Sequence, residues 1–402
     1  MNCFNMANID KSGSFKVMKI LLTIHHHLDL NSGAAGVTLK LGEEYQKAGH
    51  QVSYFSFDNL PSKLPEIVKA IIFPYWLSVY LLIKQDLDVI DASTGDLWLW
   101  TLIFRHFCPQ TALVTRSHGL EHSLHLENLA ESARGNLKLS WKYPLYHGGL
   151  RLWEVKTSIK NADLTLMLNS RDRDLACQEW GVPAQKLAIV PNGIPSEFID
   201  LPWDTTNADS IVGITQIGSF IDRKGIKYSI PALNNILKRF DDVKISFLGT
   251  GCGESEVLSN FSPDVRHRIT VVPSYDRAVL PNLLKGYQIK VFPTLYEGFG
   301  LALIEAMACG LVPITTPTAG FMETICERQN GIVVPLRNSK AIEDALEELI
   351  CDRSQLNRMR INAYNTTKGY SWTNIARQNL DLYQILQLKK VNQLLENREA
   401  VN

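Results

Sequence analysis

The run EGFGLALIE, Glu297 to Glu305, sets two carboxylates eight positions apart around a Gly-Phe-Gly turn and an apolar, helix-like stretch. Gly298 and Gly300 let a backbone approach a ligand closely, and the unpaired N–H groups at the start of the following helix hold phosphate or hydroxyl oxygens. Glu305 falls one to two turns into that helix, about 6 to 9 Å along its axis. Acids so far apart do not share a proton. The spacing suits hydroxyls gripped at two ends of an elongated ligand whose anionic middle lies over the helix start, and a sugar–diphosphate–nucleoside has that layout. The alternative is one acid favouring the helix dipole and one solvated acid on the helix; the segment alone leaves the two readings level.

Other runs add weight unevenly. GSFIDRKG, Gly218 to Gly225, ends a strand and puts Arg223 and Lys224 at its mouth. Cations there stabilise a diphosphate leaving group, on whose bridging oxygen negative charge grows as the bond to carbon breaks; taken alone, a solvated basic turn explains them better. NSGAAG, Asn31 to Gly36, with Asp58 ending the second strand, invites a dinucleotide reading, but the GxGxxG spacing is absent, and GTGCG at Gly249 to Gly253 misplaces its third glycine. His118 in TRSHGLEH suits orienting a hydroxyl or moving a proton, its ordinary pKa being near neutrality; a lone histidine is more often structural. His25, His26 and His27 are contiguous, so their side chains alternate in direction and do not converge on one ion. Asp86 and Asp88 copy a metal-binding DxD but lead into an apolar strand and read as a strand-entry turn.

These residues need strand ends to hold them. Short β-branched runs alternate with longer helix-like ones, the pattern of βα units in a parallel sheet covered on both faces. One series comprises strands near 19–24, 51–57, 87–92, 112–117 and 163–168; a second comprises 211–218, 243–249, 268–272, 288–292 and 311–316. Asp200 to Ser210 is polar and turn-rich and reads as the connection between two domains. A chain of 402 residues exceeds one ordinary core and fits two. Two doubly wound α/β domains bind ligands at the carboxyl ends of their strands, in the cleft between them.

Composition narrows the classes. Lys plus Arg equals Asp plus Glu at 41 each, which argues against a nucleic-acid partner. Seven cysteines, an odd number without a CxxC pair, read as reduced thiols of a cytoplasmic protein. Residues 1–17 lack the apolar core of a signal peptide and read as a loose tail. The apolar stretch from Ala70 to Lys84 is short for a membrane span and contains Pro74, so it is expected as a buried helix rather than one lying on a membrane. The aromatic residues Trp141, Tyr143, Tyr146 and Trp153 read either as core or as a platform for a sugar or lipid acceptor, and core is the expectation. Peripheral contact of the N-terminal domain with the cytoplasmic membrane stays open.

Taken in order, SGAAGVTLKLGEEYQKAGHQV, TRSHG, VPNGIPSEF, GSFIDRKG, FLGTGCG, PTLYEGFGLALIEAMACGLVPITT, TAGFMETI and NGIVVP resemble the retaining glycosyltransferases of family 4. The resemblance spans most of Met18 to about Gln387, and the block from Pro293 to Thr316 is its most specific part. It implies the GT-B fold: two Rossmann-like domains facing each other across a cleft, 18–200 binding the acceptor and 211–369 the donor, with a terminal helix at 370–390 crossing back. It also implies sugar transfer from a nucleotide-sugar such as a UDP- or GDP-sugar to a glycan, lipid-linked or small-molecule hydroxyl, with retention, no metal and no cofactor. By the same resemblance Glu297 and the amides of Gly298, Phe299, Gly300 and Leu301 contact the donor sugar, and Glu305 holds the ribose. Arg223 and Lys224 take the diphosphate, Gly33 meets the phosphate from the other domain, and His118 lies against the transferred sugar. Ser219 stands where many members have arginine, leaving one phosphate-binding cation fewer. A nucleotide-sugar hydrolase or epimerase, or a silent binding protein, are the competing readings.

Overall fold

The computed structural model describes residues 17–30, 32–199, 201 and 211–399; the expected tail at 1–17 and the connection at 200–210 fall almost wholly outside them. The first domain carries six parallel strands, β1 (Lys19–Ile24), β2 (Gln51–Ser56), β3 (Val89–Ser93), β4 (Ala112–Arg116), β5 (Leu164–Met167) and β6 (Leu187–Ile189), in the order β2-β1-β3-β4-β5-β6. The second carries β7 (Val212–Ile217), β8 (Val243–Leu248), β9 (Ile269–Val272), β10 (Ile289–Phe292), β11 (Val312–Thr315) and β12 (Ile332–Val333), in the order β12-β11-β10-β7-β8-β9. The central strands β3, β4, β5, β7, β10 and β11 are buried along their whole length because helices cover both faces, which is why they read as apolar runs rather than alternating ones. The sequence pattern expects five strands per sheet; the sixth in each is an edge strand of two or three residues, too short to show a period.

Strand order reverses between β1 and β3 in one sheet and between β7 and β10 in the other. At each reversal the flanking connections depart to opposite sides and leave a crevice at the carboxyl ends of the strands.

Two polar side chains interrupt the first sheet. Arg116 on β4 donates to Asp91 on β3 through Nε at 3.0 Å and Nη2 at 2.5 Å, and Nη2 also donates to the Tyr383 hydroxyl at 3.1 Å. Tyr383 belongs to the terminal helix Trp372–Glu399, which lays Trp372, Ile375, Leu380 and Tyr383 into the same core as Ile20, Leu22, Val89 and Val114. A buried ion pair this well bonded offsets its own desolvation only while all partners remain, so it fixes where the terminal helix docks on the first domain.

Four helices of the first domain matter below: α1 (Gly33–Lys47), α2 (Glu66–Ile83), α3 (Glu121–Ala133) and α4 (Arg151–Asn161). The helix α2 corrects the sequence expectation. It runs through Pro74 and buries only one side, Phe73, Leu77 and Leu81, against Leu21, Phe55 and Ile90, leaving an apolar opposite side exposed. An all-round apolar helix carries no period from which to read how much of it is covered. Trp141 and Trp153 are likewise exposed, not core.

Candidate active site

The second domain's site is built where β7 and β10 lie side by side. After β10, Pro293 to Gly300 forms a loop, and Gly300, at φ +89°, starts the helix Leu301–Ala308 from a left-handed conformation that a side chain would strain. After β7, Asp222–Lys224 makes one turn of 3-10 helix. The two loops are tied together: the Leu295 amide donates to the Arg223 carbonyl at 2.9 Å, as does the Thr294 hydroxyl at 3.0 Å. Lys224, 73 residues from Glu297 in sequence, therefore reaches its carboxylate at 2.8 Å. Arg223 is exposed, with Nη1 3.5 Å from the Tyr296 carbonyl.

Beneath this pair the charges continue. The Phe292 ring has Lys224 Nζ 5.0 Å from its centroid and Lys290 Nζ at 4.3 Å. Lys290 is wholly buried and donates to the Ala302 carbonyl at 2.6 Å. Burial pushes its ammonium down to about 7, against the pull of Glu305. Glu305 accepts from Arg277 Nε at 2.5 Å and is itself only 4% exposed; burial raises its carboxyl above the usual range while Arg277 and Lys290 pull it down. The acids of the EGFGLALIE run thus each hold a cation, Lys224 on Glu297 and Arg277 on Glu305, with Lys290 between. Lys224, expected as a cation at the cleft mouth, is held there by Glu297. Lys290 left a signal in the sequence, a charge inside an apolar strand; Arg277 left none.

The first domain meets this loop directly. A Cβ built on Gly298 would come 2.7 Å from the Cα of Gly119 and 3.6 Å from the carbonyl oxygen of His118. Asn169 Nδ2 donates to the Gly298 carbonyl at 3.0 Å, and the Tyr296 hydroxyl to the Leu120 carbonyl at 3.1 Å. Further along the cleft Arg337 Nε donates to Glu131 at 3.0 Å and its Nη2 also reaches Glu127. His118 is accordingly at the domain contact, close to the Glu297 loop. Its Nδ1 is buried without a hydrogen-bond partner among the described residues. Burial, and then the charge of Arg116, push its pKa down to about 3. The ring is neutral at physiological pH and orients or accepts a hydrogen bond; it is not poised to carry a proton, contrary to what its ordinary pKa suggests.

The remaining predicted residues divide. The Phe299 side chain is buried against Tyr370, so only its backbone is available to a ligand, and Leu301 packs on both domains' cores. Ser219 is exposed at the β7 end. Gly33 begins α1, and the space where its Cβ would stand is open.

A polar cluster at the carboxyl ends of β1 and β3 is not evident from the sequence. Arg151 Nη2 donates to the Thr94 carbonyl at 2.5 Å and to Glu121 at 3.1 Å, and lies 3.2 Å from His25 Nε2. Because arginine only donates, His25 Nε2 accepts and its Nδ1 carries the proton toward Asp96, 2.8 Å away. Glu154, 2% exposed, keeps one oxygen without a hydrogen bond, and burial pushes its pKa up to about 7. Four separate elements supply these residues, so no local pattern announces them. His27 turns instead to Asp58, at 2.5 Å, and Asp86 pairs with Lys19 at 2.8 Å beside the start of β3.

The profile of the Glycosyltransferase Family 4 matches residues 31–198, and that of Glycosyl transferases group 1 matches 208–366. The chain belongs to the family 4, group 1 glycosyltransferases. The phosphatidyl-myo-inositol mannosyltransferase of Mycobacterium leprae is 24% identical to this glycosyltransferase over 399 residues, 91% of this chain and 96% of the relative. Several other curated glycosyltransferases are matched over only 57 or 58% of their length. Among solved structures, sucrose-phosphate synthase from Thermosynechococcus elongatus superposes with a TM-score of 0.71 at 20% identity, over 92% of this chain and 99% of that one. HepE from Anabaena, in complex with UDP-glucose, gives 0.63 at 16%, over 91% and 99%. Both likenesses establish the GT-B fold of this glycosyltransferase.

Proposed function

We propose that the protein transfers a sugar from a nucleoside-diphosphate sugar to an acceptor hydroxyl with retention of configuration. The observation that carries this reading is the Lys224–Glu297 pair at the β7/β10 crevice, set beside a helix start and facing the His118–Gly119 loop of the other domain. The helix start and Lys224, with Arg223 beside it, supply positive potential for a diphosphate. Glu297 and the neutral His118 supply hydrogen-bond partners for sugar hydroxyls. Glu305 takes the ribose hydroxyls in this reading, sharing them with Arg277. HepE, whose structure holds UDP-glucose, supports a uridine nucleotide as the first donor to try.

In this reading the acceptor oxygen bonds to the anomeric carbon on the face the diphosphate leaves. The bond from that carbon to the phosphate oxygen breaks, and the acceptor proton passes to a phosphate oxygen. Domain contact excludes water, so the acceptor rather than hydrolysis takes the sugar. The cluster of His25, Asp96, Glu121 and Arg151 at the first domain's crevice is the acceptor's side of the cleft. No metal takes part.

A thermal-shift series with UDP, GDP and their sugars tests donor binding, since a ligand of the folded state raises Tm by mass action. Glu305→Ala is expected to weaken nucleotide binding and Lys224→Ala to lower turnover, with turnover undiminished by EDTA. Anomeric NMR of the product reads retention. Free sugar or an epimer as the main product would favour a hydrolase or epimerase, and binding without turnover a silent protein.

A further inference from the structure

Lys290 stands in the second domain's crevice without an anion of its own. It lies in the middle of β10 between Ile289 and Val291, and none of these three residues is exposed. Among the described residues no carboxylate comes within ion-pairing distance of it, because Glu297 is taken by Lys224 and Glu305 by Arg277. Two acids are thus matched by two cations, and an ammonium on Lys290 is a third, unmatched positive charge. Its place makes matters worse. The Ala302 carbonyl that accepts from Nζ at 2.6 Å is in the first turn of the helix Leu301–Ala308, the positive end of its dipole, where a further cation is unfavourable. Lys224 Nζ shares the Phe292 ring with it, 5.0 Å from the centroid against 4.3 Å.

A lysine so placed gives up its proton more readily than one in water. Burial pushes its pKa down to about 7; Glu305 opposes this, Lys224 adds to it, and Glu297 opposes it again. The Cys309 thiol nearby, pushed up to about 12 by burial, stays uncharged. An apolar side chain of similar volume would fill the space without this penalty. What the surroundings lack is negative charge, and a diphosphate over the helix start brings it.

We propose that Lys290 takes up a proton when a nucleotide sugar binds, so that its ammonium and the donor's diphosphate are acquired together. The neutral amine gains one proton from the buffer, and no other bond is made or broken. Lys290 touches no ligand itself; it is a positioning residue that adds positive potential beneath the first turn of the helix, tethered by the Ala302 carbonyl. The inference rests on the donor-binding reading above. His118, with its pKa near 3, does not titrate in the same range.

Calorimetry of UDP-glucose binding at pH 8, in HEPES and in Tris, tests it, since the two buffers differ in ionisation enthalpy and the difference in heat counts protons. GDP-mannose replaces UDP-glucose if it alone raises Tm. The diphosphate of either sugar nucleotide has no group that titrates near neutrality, so it contributes no proton. The wild type is expected to take up about half a proton or more per site, and to lose about tenfold in affinity from pH 7 to pH 9. Lys290→Met should take up none and bind about tenfold more weakly than the wild type at pH 7, but within a few-fold of it at pH 9. A merely structural role would weaken binding equally at both. Lys290→Gln serves if Lys290→Met does not fold, and the wild-type count needs no variant. Equal binding heats in the two buffers overturn the proposal, as does uptake that persists in a folded Lys290 variant, which would give the proton to Glu305. If neither sugar nucleotide raises Tm, the donor reading itself falls and this proposal with it.

Discussion

Gly298 is where the two domains touch, and replacing it tests whether that contact serves the reaction. Its φ is not positive, so alanine is tolerated by its own backbone. The added Cβ would stand 2.7 Å from the Cα of Gly119, a backbone atom of the other domain that no rotamer change moves aside. Carbon atoms pack at about 3.5 to 4 Å, so Gly298→Ala should hold the loops roughly 1 Å further apart. The Asn169 bond to the Gly298 carbonyl, 3.0 Å long, would stretch with them. A displacement of about 1 Å from the reacting geometry costs on the order of 100-fold in rate, or about 2.7 kcal/mol. The assay is release of nucleoside diphosphate from the donor sugar identified by thermal shift, alongside nucleotide affinity by calorimetry. Turnover should fall about 100-fold, nucleotide affinity should stay within a few-fold, and stability should change by no more than about 1 kcal/mol. Full turnover in the variant would refute closure at this contact, and an equal loss of nucleotide affinity would show that Gly298 matters to binding alone.

The Lys224–Glu297 pair is part-buried, so a double-mutant cycle of Lys224→Ala and Glu297→Gln, read by denaturant unfolding, should give a coupling of about 1 kcal/mol; additive effects would mean the pair is not held in solution. Arg277→Ala leaves Glu305 buried without its main partner and should destabilise by about 3 kcal/mol near pH 8. A carboxyl with a raised folded pKa contributes stability below its unfolded pKa that is lost as pH rises through the folded value, so the Arg277→Ala penalty should shrink toward pH 5, as thermal melts would show. Glu154 obeys the same sign: with its pKa raised from 4.5 to about 7, the wild type should lose up to about 3 kcal/mol between those values relative to Glu154→Gln. Equal pH profiles for the two proteins would contradict a buried, proton-holding Glu154.

The sequence by itself determined what short-range rules control. Two parallel sheets show through because strands covered on both faces must be apolar along their length, as in Ile20 to Ile24 or Val291 and Phe292. The EGFGLALIE site shows through because a glycine turn and a helix start fix the relation of Glu297 to Gly300 and Glu305 within one local element. Tertiary structure alone decided which cation each acid meets. Lys224 and Glu297 are 73 residues apart, and Arg277 and Glu305 are 28 apart; the first pair forms because β7 and β10 become neighbours in the sheet, the second because the turn after β9 folds onto the helix after β10. Burial was also settled there: the desolvation of its ring, and then the charge of Arg116, hold the His118 pKa low. The outward side of α2 could not be read from an apolar sequence with no polar face. Whether a side chain meets core, water or another domain depends on what packs over it, and that is a property of the assembled fold rather than of any one stretch of chain.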